Sequence, residues 1–170
     1  MTSFEVRDEK SSDIEDIRRI TELAFKGKPH AAGDEQLVND RLRAAGGLSL
    51  SPVATDGDRL LGHAAFSPAT LGSASSHWFA LGPVSVIPSL QGQGIGSRPI
   101  QTGLDLTASD GAHGCILTGD PNYYSRFGFV PAPAHCPECE PAEYFMVKKF
   151  TPDSLSEKFA FHSAFYGDAE

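Results

Sequence analysis

Two stretches of the chain combine residue types able to hold phosphate and to move a proton. The first is Gln91-Gly92-Gln93-Gly94-Ile95-Gly96-Ser97, entered through the apolar run Val84-Ser85-Val86-Ile87-Pro88. Glycines let the backbone approach a ligand closely. The helix expected after the loop leaves the N–H groups of its first turn without internal partners, at the positive end of the helix dipole. Together these features suit a phosphate or pyrophosphate. The second stretch, Gly119-Asp120-Pro121-Asn122-Tyr123-Tyr124-Ser125-Arg126-Phe127-Gly128-Phe129, brings two phenols into a tight turn.

The spacing discriminates among phosphate loops. A nucleoside-triphosphate loop needs Gly-Lys-Ser/Thr, and no lysine follows Gly96. A dinucleotide fingerprint needs Gly-x-Gly-x-x-Gly after an early parallel strand, which Gly92-Gln93-Gly94-Ile95-Gly96 does not provide. The pattern Gln91-x-x-Gly94-x-Gly96 instead resembles the pyrophosphate loop of the GNAT superfamily of N-acetyltransferases. Val84-Ser85-Val86-Ile87-Pro88 matches the apolar segment that precedes that loop, and Tyr124-Ser125-Arg126-Phe127-Gly128-Phe129 matches the Tyr-x-x-x-Gly-Phe that follows the next strand. The fuller run from Gly119 to Phe129 is similar to the signature of the bacterial YhbS-like acetyltransferases. The resemblance spans Phe4 to Phe150 and is strongest from Gly82 to Phe129. The final twenty residues carry no part of it.

The resemblance implies an acetyl-CoA-dependent N-acetyltransferase that uses acetyl-CoA as co-substrate, needs no metal, and acetylates a primary amine of a small molecule or protein. It implies that acetyl-CoA is held by Val84, Ser85 and Val86 of the strand and by Gln91, Gly92, Gln93, Gly94, Ile95, Gly96 and Ser97 of the loop. The Val84 amide would meet the thioester carbonyl, the Val86 backbone would pair with the pantetheine arm, and Tyr124 would be the general acid for the departing thiolate. The loop's first position is Arg or Gln in the superfamily. A neutral Gln91 leaves the phosphates mainly to backbone N–H groups. Superfamily members often dimerise, so a homodimer is compatible with the resemblance. A non-catalytic domain that binds CoA, and an acyltransferase for longer chains, are the alternative readings.

Acetyl transfer also needs a neutral amine, since an amine with a pKa of about 10.4 is protonated at neutral pH. The candidates for removing its proton are His63 and His77 on strands, and His30, Asp34 or Glu35 near the second helix; the two strand histidines read first as structural residues, and no single base is assigned. Cys136-x-x-Cys139, beside His135, lies among Pro131, Pro133, Pro137 and Pro141 and has no second ligand pair. It reads as a proline-rich loop with incidental thiols. Cys115 falls inside a buried strand, so no covalent relay is expected.

The elements that must position these residues follow from periodicity. Phe4–Arg7 reads as a strand. Ser12 and Glu15 form a capping box before a helix carried by Ile14, Ile17, Ile20, Leu23 and Ala24 to about Phe25. A second helix starts at Asp34 and stops at Gly46 and Gly47. Leu48–Thr55 and Leu60–Leu71 are strands flanking the hairpin signal Asp56-Gly57-Asp58. His77–Ile87 is a strand that Gly82-Pro83 interrupts with a bulge. A third helix carries Ile95, Ile100, Leu104 and Ala108, with Pro99 in its first turn. Cys115–Thr118, a brief helix at Pro121–Arg126 and a strand at Tyr144–Phe150 follow. Ser154–Phe165 reads as a short terminal helix. The fold class is therefore mixed α/β, a mostly antiparallel sheet of six to seven strands flanked by about four helices, as in GNAT proteins. Residues 1–150 read as one acetyltransferase domain and 151–170 as a C-terminal extension.

Composition sets the outer bounds. At 170 residues and 40% hydrophobic content the chain fits one domain with one core. A formal net charge of −8 argues against nucleic acid as a partner. No apolar run is long enough for a membrane span, and Met1–Lys10 lacks a secretory signal, so a soluble cytoplasmic protein is expected.

Overall fold

The computed structural model describes residues 3–29, 31–72, 74–152, 154–155 and 157–167. Its strands are β1 (Glu5–Asp8), β2 (Pro52–Asp56), β3 (Arg59–Leu71), β4 (Ala74–Val86), β5 (Gly114–Thr118), β6 (Val130–Pro131), β7 (Phe145–Lys149) and β8 (Phe159–Ala160). Its α-helices are α1 (Ile14–Phe25), α2 (Glu35–Ala44), α3 (Ser97–Ser109) and α4 (Pro121–Tyr124). The strands form one eight-stranded sheet in the order β1-β2-β3-β4-β5-β7-β6, with β8 added to β3. All pairings are antiparallel except β4 with β5. The sheet exceeds the expected six to seven strands because of the two-residue strands β6 and β8, too short to register as periodicity.

The two faces of the sheet are covered by different helices. Ile17 and Ile20 of α1 pack on Val53, Leu60 and Ile87. On the opposite face Ile100 and Leu104 of α3 join Ala64, Phe66, Leu81 and Leu117. This alternation follows from the strand period of two, which sends Val53 to one helix layer and Ala54 to the other. Gly103 sets how closely α3 approaches: a Cβ there would lie 2.0 Å from Cε1 of Phe66. Phe66 is fully buried, and removing such a ring from water contributes about 1.5–3 kcal/mol.

Two expectations need correction. The capping interaction at the first helix is not built by Ser12 and Glu15. Asp13 occupies the N-cap of α1, and its carboxylate accepts from the Lys10 N–H at 2.6 Å while pairing with Arg7 at 2.7 Å. A 3-10 turn over Ser11–Asp13 takes the place of the expected first helical residues. Among the described residues, the terminal segment Ser154–Phe165 is not the expected helix. Phe159 and Ala160 instead pair with Leu71 and Thr70, and a 3-10 turn follows at Ser163–Tyr166. Tertiary contact decides this: Phe159 meets Trp78 edge-on at 4.6 Å, and Ala164 and Phe165 pack on Val38 and Leu42 of α2. No helix among the described residues is long and apolar enough to cross a membrane.

Candidate active site

The site begins where the sheet opens. β4 and β5 pair through Trp78–Gly114, Phe79–Cys115 and Ala80–Ile116 and then part, although β4 runs on to Val86 and β5 to Thr118. At the same level Gly82-Pro83 forms the expected bulge: Leu81 pairs with Phe66 and Val84 with Ala64, leaving two residues of β4 against one of β3. Beyond it Ile87 N–H donates to Leu61 O at 2.9 Å, and Ser85 pairs with His63. Successive N–H groups of a strand point to opposite sides. Those of Val84 and Val86 therefore point away from β3, into the gap. The gap widens into a cleft of about 1090 Å³.

The glycine loop closes one end of this cleft. Gly92 and Gly94 both have φ of +81°, a left-handed conformation that glycine adopts without Cβ strain. Gly96 is the N-cap of α3, and a Cβ there would press on Val86 Cγ2 at 3.0 Å. The side chain of Ile95 is 1% exposed, pinned against Ala54 and Leu61, so the loop is bolted to the core while its backbone lines the cleft. Among the described residues, the N–H groups of Gly94, Ile95 and Gly96 donate to no backbone carbonyl or side chain. Ser97 Oγ donates back to Gly94 O at 2.8 Å, and Gln91 Nε2 donates to Val86 O at 3.2 Å. Unpaired amides at a helix N-terminus form a polar cradle of the kind that suits a phosphate group.

Tyr124 stands across the gap. Asp120 caps α4 by accepting from Asn122 N–H at 2.9 Å, and Pro121 takes the first turn, where its missing N–H costs nothing. The Gly-Asp-Pro run thereby fixes the helix that presents the phenols. Tyr124 packs edge-on to Tyr123 at 4.9 Å and to Phe129 at 6.2 Å. Burial, with smaller contributions from Tyr123 and Asp120, raises its pKa well above that of a free phenol, so it stays protonated at neutral pH. Tyr123 is held by Arg126, whose guanidinium lies 4.4 Å above its ring.

Of the sequence-predicted binding residues, Val84, Ser85, Val86, Gln91, Gly92, Gly94, Ile95, Gly96 and Ser97 line the cleft together with Tyr124, and Gln93 does not. The Ser85 side chain faces α1 and lies 3.2 Å from Thr21 Oγ1, so only its backbone serves the cleft. Among the candidate bases the structure separates the histidines from the site. His63 is fully buried beneath α1 and α2, its Nε2 lying 2.7 Å from Ser51 Oγ; burial lowers its pKa to about 4. His77 sits beside Asp110 at 3.5 Å, away from the cleft lining. Asp34 and Glu35 do line it. Asp34 pairs with Arg41 at 2.8 Å, and Glu35 accepts from the N–H groups of Ala32 and Gly33 at 2.7 and 3.1 Å. His30 lies outside the described residues. Cys115 is fully buried in β5, and burial raises its thiol pKa far above the ordinary range.

Sequence reasoning missed part of the wall. Glu140, Tyr144, Phe161 and Phe165 also border the cleft. The signal was the aromatic density of the tail, Phe159-x-Phe161 and Phe165-Tyr166, whose first pair alternates as a strand does.

A sheet that splits beside a bulged strand, with a glycine-lined helix N-terminus at the split, defines an acyl-CoA-type transferase fold. The sequence profile of the Acetyltransferase (GNAT) family matches residues 14–129, and the chain belongs to that family. It is 32% identical over 155 residues to the uncharacterized N-acetyltransferase YhbS of Escherichia coli K12, covering 89% of this chain and 90% of that one. A GNAT family acetyltransferase from Brucella melitensis, solved in complex with acetyl-CoA, superposes with a TM-score of 0.85 at 42% identity, over 96% of this chain and 98% of that one. The E. coli YhbS structure in complex with CoA gives a TM-score of 0.86 at 27% identity, over 96% and 92% of the two chains.

Proposed function

We propose that this protein transfers the acetyl group of acetyl-CoA directly to a primary amine bound in the same cleft. The observation that carries the reading is the pair of inward N–H groups of Val84 and Val86, where β4 leaves β5, next to the unpaired amides of Gly94, Ile95 and Gly96. The residues fit the co-substrate: the loop amides suit its pyrophosphate, and the open edge of β4 suits the amide groups of its pantetheine arm. The relatives solved with acetyl-CoA and with CoA support the same choice.

The chemistry follows from the geometry. The Val84 N–H is a backbone donor for the thioester oxygen as charge builds on it. The neutral amine attacks the carbonyl carbon to form a tetrahedral adduct. Its nitrogen gives one proton to solvent and the C–S bond breaks, leaving the amide and a thiolate. The thiolate takes its proton from a donor, which is then reprotonated by solvent. Tyr124 is the donor, held protonated by burial. Transfer from a phenol of raised pKa to a thiolate is uphill, so Tyr124 acts as a strong hydrogen bond to the developing thiolate and releases its proton late. Two partners held in one cleft react as if unimolecular. With Cys115 sealed inside the sheet, direct transfer is favoured over a thiol relay.

The test is CoA release from acetyl-CoA with a broad amine panel, alongside calorimetry with CoA. Binding of CoA with amine-dependent release supports the reading. Absence of CoA binding at millimolar concentration removes it.

A further inference from the structure

Part of the cleft wall is contributed by residues beyond the family-matched segment, after Phe129. Glu140 is the charged member of that wall, and it is held from several sides. Its Oε1 accepts from Thr118 Oγ1 at 2.9 Å, and its Oε2 accepts from the Tyr166 hydroxyl at 2.7 Å. Its N–H donates to Pro137 O at 3.1 Å, and its carbonyl accepts from the Cys136 thiol at 3.5 Å. Both side-chain donors are neutral hydroxyls rather than cations, and each oxygen keeps a lone pair for a further donor. The other acidic groups lining the cleft are committed differently. Asp34 is neutralised by Arg41, Glu35 binds the backbone of Ala32 and Gly33, and Asp120 caps α4.

Around Glu140 the wall is aromatic. Phe161 and Phe165 lie 5.2 Å apart, and Phe165 lies 6.5 Å from Tyr166. Tyr144 joins them, and its backbone carbonyl accepts from Gly119 N–H at 2.9 Å, which ties this wall to the turn carrying Tyr124. A fixed carboxylate beside apolar rings selects a cation with an apolar body, since rings cover hydrocarbon and their faces attract positive charge.

Building on the reading of this cleft as an acetyl-transfer site, we propose that Glu140, Tyr144, Phe161 and Phe165 form the acceptor subsite, and that the acceptor is an aryl-alkyl primary amine captured as its ammonium. Glu140 is the anchor for the incoming cation and a determinant of specificity; proton removal before attack is a separate step that it is not assigned. The C-terminal tail supplies Phe161, Phe165 and the Tyr166 hydroxyl that orients the anchor.

Phenethylamine, the neutral phenethyl alcohol and the hydrophilic ethanolamine are suitable probes. Binding of each to the CoA-loaded protein is measured by calorimetry, and KM for the amines by CoA release. Phenethylamine is expected to bind more tightly than either analogue. Glu140→Gln is expected to weaken phenethylamine about tenfold, the scale of a lost charge-assisted hydrogen bond, with phenethyl alcohol binding and the acetyl-CoA KM unchanged. Tyr166→Phe, which keeps the carboxylate but frees it to move, is expected to act in the same direction by a smaller factor. The subsite assignment is overturned if Glu140→Gln binds phenethylamine as wild type does, or if ethanolamine is the better ligand. Calorimetry separates this result from the catalytic reading: turnover of other amines without phenethylamine binding sinks the subsite alone, whereas Glu140-dependent binding without turnover sinks the catalysis alone.

Discussion

The ring of Tyr124 rests directly on the backbone of Gly119: a Cβ built at Gly119 would stand 2.6 Å from Cε2 of Tyr124. A glycine two residues before the helix α4 thus makes room for the phenol proposed to serve the leaving thiolate. Tyr124→Phe removes the hydroxyl and keeps the packing. The expected result is a fall in kcat of about a hundredfold, typical of losing a proton donor, with CoA affinity held. Calorimetry and steady-state rates on the same sample check it; unchanged kcat would remove the tyrosine from the chemistry.

Gly119→Ala tests the same relationship without touching the hydroxyl. The added methyl must displace the Tyr124 ring, because Leu117 Cδ1 closes the other side at 3.2 Å. A displacement of this size is expected to lower kcat by about tenfold or more while the protein still binds CoA. The double variant with Tyr124→Phe should lose little beyond the single Tyr124→Phe, since both act through one group. Additive losses would mean that Gly119 matters for another reason.

Gln91 turns its amide toward β4 and donates to Val86 O, so the proposed phosphate grip rests on backbone amides. Gln91→Arg adds a cation beside the proposed cradle. CoA affinity is expected to rise about fivefold at low salt, and the gain to shrink as ionic strength rises. Titration at two salt concentrations reads this directly; a salt-independent change of either sign would contradict it.

His63 gives the fold a pH dependence. It is buried and neutral with a pKa of about 4 instead of 6.5, chiefly through burial, with Glu9 opposing and Arg43 reinforcing the shift. Between those values the unfolded chain binds more protons than the folded one, so stability rises with pH across the window. The contribution is complete above pH 6.5 and is lost as pH falls toward 4, amounting to about 3 kcal/mol. Glu9, held below the usual carboxylate range by hydrogen bonds from Arg43 and Ser51 that outweigh its desolvation, adds a loss in the same direction at the acid end. Urea midpoints at pH 5 and pH 7 should differ in wild type, and His63→Gln should flatten most of that difference.

Much of the local geometry on the proposed cofactor side was legible in the residues themselves. Gly92, Gly94 and Gly96 announce a backbone-lined turn because only glycine fits there. Gly82-Pro83 announces a bulge because proline cannot donate to the ladder. The short helix that carries Tyr124 was legible from Pro121, and Asp120 caps it. Tyr124 itself was singled out by the motif Tyr124-x-x-x-Gly128-Phe129. Local conformational rules of this kind act over a few residues and leave their mark on adjacent positions.

The proposed acceptor side is different in kind. Whether His63 faces the cleft or the underside of α1 depends on strand register, a one-residue matter that no local pattern near His63 fixes. Whether Phe159 joins a helix or a strand depends on the open edge of β3 and on Trp78, eighty-one residues earlier in the chain. Glu140 becomes a poised carboxylate only when β5 brings Thr118 to one oxygen and the tail brings Tyr166 to the other. The sequence by itself determined where a phosphate-bearing group could be gripped, because that grip is built from consecutive backbone amides. The tertiary structure alone decided what lines the rest of the cleft, because that wall is assembled from segments distant along the chain whose burial is settled only when they pack together.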